Sequence, residues 1–279
     1  MYLEARKMLR EEGIEAFNLE ARLILEAASE KTRERWFKDM QLYVTDGFEE
    51  KVGRMLRRRI EGEPVAYITG EWEFYGLPMS VSEDVLIPRV DTEVLVDAAV
   101  EMISGRESGT RVLDLCSGSG CIGIAISSKV PGSRVVLVDN SIKALRVSRA
   151  NILKNNMTRN ITCVEADVME MPPMLLGSFD VIVCNPPYIP SGDIKRLDKS
   201  VRNFEPVHAL DGGISGLDFF RIISSKWKSV LNHDGKLLFE CGIGQSQSVS
   251  EILAENGFTD IKVFKDSLDI ERVVTGTKK

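Results

Sequence analysis

The sequence predicts an open α/β sheet with helices on both faces, preceded by a small helical segment and a hairpin. Three observations lead there. From about residue 90, short apolar runs rich in Val, Ile and Leu alternate with stretches of helical spacing, the pattern of a parallel sheet wrapped by helices. A glycine-rich turn, DLCSGSGCIG, stands between the first of these runs and the helix after it. The first seventy residues show only helix-period patterns and lead into a turn-rich stretch, EWEFYGLPMSVS.

Taken in order, MYLEARKMLREEG is a charged helix pattern, and NLEARLILEAASE and GFEEKVGRMLRRRIEG carry apolar positions at helical spacing. Gly62 followed by Pro64 stops the last of these. Val52, Met55, Leu56 and Ile60 form its apolar face, which assigns Arg54, Arg57, Arg58 and Arg59 to a solvated face. The next stretch reads as two short strands around Gly76-Leu77-Pro78. Strands follow at 111–115, 134–139, 161–167, 179–185 and 236–241, then two terminal strands. Helices are expected at about 121–130, 144–156, 215–231 and 245–256. Ile189 to Gly216 reads as a long, polar, Gly-rich loop, functional or mobile. The expected domains are 1–70 (helical), 71–88 (hairpin linker) and 89–279 (the sheet).

Of the 279 residues, 43% are hydrophobic and 28% charged, and the net charge is −6. That balance speaks against a general nucleic-acid binder, which would show a basic face. No apolar run approaches the roughly 20 residues that span a bilayer, and the N-terminus is not a signal pattern, so a cytoplasmic monomer is expected. Cys116, Cys121, Cys163, Cys184 and Cys241 show no paired spacing and read as buried free thiols. His208 and His233 have no ligand spacing and read as loop residues; no metal is expected.

Gly118, Gly120 and Gly123 match GxGxxG, the turn that lets backbone approach a ligand at a helix N-terminus. Asp139 ends the second strand of the sheet, where an acid bonds ribose hydroxyls. No GK[ST] follows, which excludes a P-loop. A nicotinamide dinucleotide and S-adenosyl-L-methionine both remain. Asp114, just before the loop, favours the second, whose methionine end carries an ammonium; a carboxylate there repels phosphates. Asp167 ends the third strand within reach of an adenine amino group, or else caps a turn.

The segments VLDLCSGSGCIGIA, VDNS and FDVIVCNPPYIP resemble a class I methyltransferase, a Rossmann-like fold. With EPVAYITGEWEFYGL, VLIPRVDTEVLVD, FEPVHALDGGISGLDFFR and FECGIGQ they resemble, along most of the chain, the release-factor glutamine methyltransferases, the PrmC/HemK family. The resemblance implies S-adenosyl-L-methionine as cofactor and S-adenosyl-L-homocysteine as product. It implies a protein substrate, the glutamine of the Gly-Gly-Gln loop of bacterial class I release factors; such a protein needs a docking surface of order 1,000 Å² or more, for which the N-terminal helices are expected. It places the cofactor at Asp114, Cys116, Ser117, Gly118, Ser119, Gly120, Asp139, Asp167, Val168 and Asn185. It brings Arg89, Thr92, Glu93 and Glu205 near the site, although Arg89 and Glu93 also read as an ordinary i,i+4 helix pair. Cys116 departs from the family's usual glycine; if that position needs a positive φ, it costs roughly 1 kcal/mol.

Asn185, Pro186, Pro187 and Tyr188 interrupt the fourth strand of the sheet. Pro-Pro alone is equally a stiff exit turn. A carboxamide nitrogen is a weak nucleophile, so its methylation needs its N–H groups captured and its plane held. The Asn185 side-chain oxygen and the Pro186 carbonyl are the expected acceptors, and the prolines, without N–H, leave an acceptor-only edge. Tyr188 is expected to stack on the planar group. Adenine and cytosine amino groups suit the same clamp. A nucleic-acid amino-methyltransferase is disfavoured by the net charge and by a single aromatic, Phe204, in 189–216. A ribosomal-protein glutamine methyltransferase is the nearest alternative. A nicotinamide oxidoreductase leaves Asp114 and the clamp unexplained, and a non-catalytic binding module leaves the intact Asn185–Tyr188 unexplained.

Overall fold

The computed structural model describes residues 1–31, 35–36, 38, 45–103 and 109–279. The helical expectation for the first seventy residues lies outside the described residues where it covers the rest of 32–44. The chain divides into two compact units, Met1–Glu71 with Asp198–Phe204, and Trp72–Leu197 with Glu205–Lys279.

The first unit holds α1 (Tyr2–Glu11), α2 (Phe17–Ser29), α3 (Asp46–Ile60), α4 (Val65–Thr69) and the short helix Lys199–Phe204. Leu9, Ile24, Leu25, Val52, Met55 and Leu56 bury the apolar stripes, each recurring at helical spacing. Thr45 caps α3 by accepting from the Phe48 N–H, and Arg57, Arg58 and Arg59 fill its last turn, where cations oppose the helix dipole. Arg59 is not on the solvated face: its guanidinium reaches inward to the buried Glu20 carboxylate at 2.5 Å. Glu20 is a carboxylate that α2 buries, and it needs that partner.

The second unit opens on β1 (Glu71–Phe74) and β2 (Leu77–Ser80). The turn is Tyr75-Gly76, with φ of 54° and 72°, rather than Gly76-Leu77-Pro78. Two consecutive positive φ values match the twist of a two-residue hairpin, and Leu77 and Pro78 belong to the second strand. A helix that the alternation did not reveal, α5 (Glu93–Ile103), comes next, and its Glu93 carboxylate accepts from the Tyr75 N–H at 2.9 Å.

The sheet then builds as β3 (Arg111–Leu115), α6 (Cys121–Lys129), β4 (Arg134–Asp139), α7 (Ile142–Lys154), β5 (Ile161–Glu165) and β6 (Phe179–Cys184). After α8 (Lys199–Phe204) come α9 (Asp218–Lys226), β7 (Leu231–Glu240), α10 (Ser246–Glu255), β8 (Phe258–Lys265) and β9 (Glu271–Lys278). The strand order is β5-β4-β3-β6-β7-β9-β8. The first five pair in parallel; β7/β9 and β9/β8 are antiparallel, so the sheet is mixed, not wholly parallel. β7 starts at Leu231, five residues before the expected Lys236, because Asn232–Gly235 bulges out of register with Asp234 at φ 60°.

Alternate residues feed two cores. Val112, Val181 and Val183 join α5 and α6 on one face. Leu113, Leu115, Ile182 and Cys184 join α9, Trp227 and α10 on the other. The Trp227 indole N–H, fully buried, donates to the Val168 carbonyl at 2.9 Å. Residues 189–216 are not a bare loop: they contain two 3₁₀ turns and α8, and a parallel bridge pairs Ile189 with Asp211. Among the described residues no helix is long and apolar enough to cross a membrane.

Candidate active site

Strand order reverses between β3 and β6, and the crevice outside their carboxyl ends is where open α/β sheets bind ligands. A pocket lies there, bounded by the glycine loop, Asp139, Asn185, Arg89 and His208.

The loop 116–120 needs its glycines for local reasons. Gly118 and Gly120 take φ of 52° and 79°, and Cys116 is itself left-handed at 56°. The strained position foreseen for Cys116 is therefore occupied, at a cost of roughly 1 kcal/mol. Gly123 has a different reason: a Cβ there would sit 2.4 Å from Leu137 Cδ2 and 2.9 Å from Val135 Cγ1. It is the close-packing glycine that lets α6 lie on the sheet. Ser117, on the pocket wall, buries an Oγ with no hydrogen-bond partner.

Asp139 lines the pocket while holding the loop. Its Oδ2 accepts from the Gly118 N–H at 2.8 Å and its Oδ1 from the Ser141 N–H at 2.9 Å. Each oxygen keeps a lone pair for a ligand hydroxyl. Burial raises its carboxyl above the ordinary value, against the pull of those backbone N–H groups. His208, read from sequence as an ordinary loop residue, lines the same pocket and lowers the Asp139 carboxyl electrostatically. A lone histidine does not mark it, but it lies in the FEPVHAL stretch that the resemblance brings near the site, and Glu205–Ala209 reaches the pocket through the fold.

The ammonium contact expected of Asp114 is not what the structure shows. Asp114 is fully buried within β3 and is absent from the pocket wall. Its Oδ2 accepts from the Gly123 N–H at 2.9 Å, its Oδ1 has no partner, and burial pushes its carboxyl up to about 8. Asp114 therefore ties β3 to the start of α6. Asp167 is exposed, also off the wall, and accepts from the Met169 N–H at 2.9 Å, the turn-cap arrangement. Val168 does line the pocket, with Cys116, Ser117, Gly118 and Ser119, whereas Gly120 lies behind it.

At the end of β6, Asn185 and Pro187 face the pocket. The Asn185 Nδ2 donates to Thr92 Oγ1 at 3.3 Å, and no described hydrogen bond ends on its Oδ1 or on the Pro186 carbonyl. Tyr188 is turned away from the stacking role: its ring packs on the core and its hydroxyl donates to Glu240 at 3.4 Å. The loop is braced from behind. Gln245 Nε2 donates to the Tyr188 carbonyl at 2.9 Å, and a Cβ on Gly212 would come 2.7 Å from the Pro187 carbonyl oxygen.

Arg89 does not pair with Glu93. It sits in extended backbone before α5, and its guanidinium bonds the buried Glu205, whose other oxygen accepts from the Ile87 N–H. The two stretches IPR and FEP, 116 residues apart, thus meet as one clasp beside the pocket. Glu93 serves the hairpin instead.

The buried carboxyls have a consequence for stability. Asp114 at about 8 and Glu240 at about 7 are both raised by burial on folding. Their contribution is complete below the unfolded carboxylate value near pH 4 and is lost as pH rises through about 7 and about 8. Each group adds at most about 1.4 kcal/mol per pH unit. Asp114→Asn keeps an acceptor for Gly123 and carries no proton equilibrium, so urea unfolding between about pH 6 and pH 9 should show a flatter decline than the parent. Equal slopes would contradict the burial of an ionisable Asp114.

Residues 1–70 match the PrmC N-terminal domain and residues 90–199 the methyltransferase small domain. The release factor glutamine methyltransferase of Geobacter sulfurreducens is 37% identical over 271 residues, 97% of this chain and 93% of that protein. The chain belongs to the release factor glutamine methyltransferase family. The family protein of Clostridium acetobutylicum is 34% identical over 276 residues, 99% of this chain and 96% of its own. In fold, the ribosomal protein L11 methylase of Lactobacillus delbrueckii superposes with a TM-score of 0.51 at 18% identity, covering 71% of this chain and 84% of that one. A methyltransferase from Pyrococcus furiosus does so with a TM-score of 0.52 at 16% identity, covering 81% and 98%.

Proposed function

We propose that this methyltransferase transfers a methyl group from S-adenosyl-L-methionine to the side-chain amide nitrogen of the glutamine in the Gly-Gly-Gln motif of peptide-chain release factors. The observation that carries the chemistry is the orientation of Asn185. Its nitrogen is engaged by Thr92, which turns its Oδ1 toward the pocket as an acceptor; Pro186 is buried and off the pocket wall, and no described hydrogen bond ends on its carbonyl. The substrate is carried by the family.

The pocket suits such a cofactor on its own terms. A buried, partnerless Ser117 Oγ stands in its wall, and a Cβ on Gly118 would meet open space. Spare lone pairs of Asp139 suit ribose hydroxyls. The residues to hold it are Ser117 to Ser119, Asp139 and Val168, with His208 added and Asp114 acting through the loop. When bound, it supplies an electrophilic methyl group on a sulfonium.

The chain's own part is to bind and orient. Asn185 Oδ1 and the Pro186 carbonyl accept the two amide hydrogens, fix the plane, and stabilise positive charge as it develops on the nitrogen. Pro186 and Pro187 offer no competing N–H and hold the edge stiff. An N-methylated, protonated amide is acidic enough to give its proton to water, so no side-chain base is required.

Tritiated-methyl transfer to purified release factor, with ribosomal protein and DNA in parallel, tests the assignment; labelling of either control in preference to release factor would overturn it. Asp139→Ala should weaken S-adenosyl-L-methionine binding by about 1–3 kcal/mol in calorimetry, because both a ligand contact and the brace on Gly118 are lost. Unchanged affinity, or tight binding of NAD instead, would remove Asp139 from the cofactor site.

A further inference from the structure

One buried carboxyl touches the clamp from behind and has no place in the chemistry above. Glu240 ends β7 and is 2% exposed. Its Oε1 accepts from the Tyr188 hydroxyl at 3.4 Å and its Oε2 has no partner, while the neighbouring Thr92 hydroxyl favours its ionised form as a donor to it would. Thr92, also 2% exposed, is the group that accepts from Asn185 Nδ2. Asn185 and Tyr188 are therefore both connected to a single carboxyl, one through Thr92 and one directly.

We propose that Glu240 is a positioning residue for the amide clamp, setting through Thr92 which end of the Asn185 carboxamide faces the pocket. A hydroxyl has one hydrogen. While Glu240 accepts the Thr92 hydrogen, the Thr92 oxygen has only lone pairs to offer Asn185. Asn185 must then point its nitrogen at Thr92 and its oxygen at the pocket. If Glu240 cannot accept, the Thr92 hydroxyl is free to turn and donate to Asn185, and the carboxamide turns over to present a donor where substrate also brings donors. Such a mismatch of donors disables the clamp without disturbing the glycine loop. The inference rests on the reading of Asn185 as the clamp.

The charge state of Glu240 is set by its neighbours. Asp91, ahead of α5, opposes ionisation, and Arg272 on β9 and the two hydroxyls favour it. The Cys241 and Cys121 thiols also feel its charge, and Arg272 is held at 2.7 Å from Asp91 and 2.8 Å from Asp266. Burial outweighs the favourable contacts and pushes the carboxyl up to about 7. A protonated Glu240 has a hydrogen of its own to donate, so the relay loses its direction on the acid side of that value.

The test uses the full-length enzyme and release factor, with single-turnover methyl transfer followed across about pH 6–9 and S-adenosyl-L-methionine affinity as the control. Glu240→Gln exchanges one of the two acceptor oxygens for an NH2 donor, so the Thr92 and Tyr188 hydroxyls compete for the single oxygen left. It is expected to slow transfer by roughly 10- to 100-fold, to keep cofactor affinity, and to lose the acid limb near pH 7 expected of the parent. Thr92→Val breaks the same relay at its other end and should cost as much. The deciding measurement is the double variant: Asn185→Ala with Glu240→Gln should be no slower than Asn185→Ala alone, because Glu240 acts only through Asn185. Losses that multiply, a Glu240→Gln variant at full rate, or cofactor affinity falling in step with rate would each overturn the proposal. A full rate for Asn185→Ala would instead bring down the clamp itself.

Discussion

Asn185→Ala is expected to lower the single-turnover rate by about 10²–10³, the usual loss for one preorganised electrostatic contact, with cofactor affinity nearly unchanged. Its Oδ1 is the acceptor the pocket presents, and its only described hydrogen bond runs from Nδ2 to Thr92. Removing the side chain takes one of two acceptors from the substrate amide and leaves the Pro186 carbonyl in place. Asn185→Asp is the sharper variant. It keeps an acceptor toward the pocket but loses the donor to Thr92, whose hydroxyl is then divided between the introduced carboxylate and Glu240. An intermediate rate is expected. If Asn185-Pro186-Pro187-Tyr188 were a stiff exit turn only, both variants would lose stability and cofactor binding together and keep their turnover per folded molecule. Single-turnover rates measured beside calorimetric affinities separate the outcomes.

Deleting residues 1–70 is expected to abolish transfer to intact release factor and to spare cofactor binding. A glutamine side chain enters the pocket, but a folded protein substrate needs a docking surface of order 1,000 Å² or more. The helical unit is the part of the chain with no share in the pocket wall, and Trp72 onward has its own two cores. Helix Lys199–Phe204 groups with the deleted unit, so cofactor affinity must be measured first to show that the remainder is folded. A short Gly-Gly-Gln peptide, which needs the pocket but no docking surface, should then still be methylated slowly. Full-rate methylation of intact release factor by the folded remainder would show that docking lies elsewhere.

Much of the fold was legible because its signals are local. The alternation of β3 to β6 with their helices, the glycine loop and the strand-ending Asp139 each lie within about ten residues, where periodicity and φ preference act directly. Cys116 shows the same: a departure from glycine implied strain, and the φ of 56° is there. The hairpin is legible in the sequence but its turn is not, since Gly76-Leu77-Pro78 looks more turn-like than Tyr75-Gly76. The start of β7 is hidden because His233-Asp234-Gly235 reads as a turn, whereas β6 on one side and β9 on the other hold the bulged strand in the sheet. The helix-pair reading of Arg89 and Glu93 points to a helix near there, but α5 begins only at Glu93, after extended backbone at Arg89.

Local sequence alone settled which residue types stand at the ends of which strands: the glycine loop after β3, the acid after β4, and amide, prolines and phenol after β6. Those follow from backbone rules acting over a few residues. Which way the side chains point was settled by packing in three dimensions. It turned Asp114 into the core and Tyr188 toward Glu240, and it brought His208 to the pocket. It joined Arg89 to Glu205 across 116 residues and engaged the Asn185 nitrogen with Thr92, 93 residues away. A polar side chain takes its role from the partner that satisfies it once water is excluded. That partner is chosen by how sheet and helices pack, which no local pattern encodes.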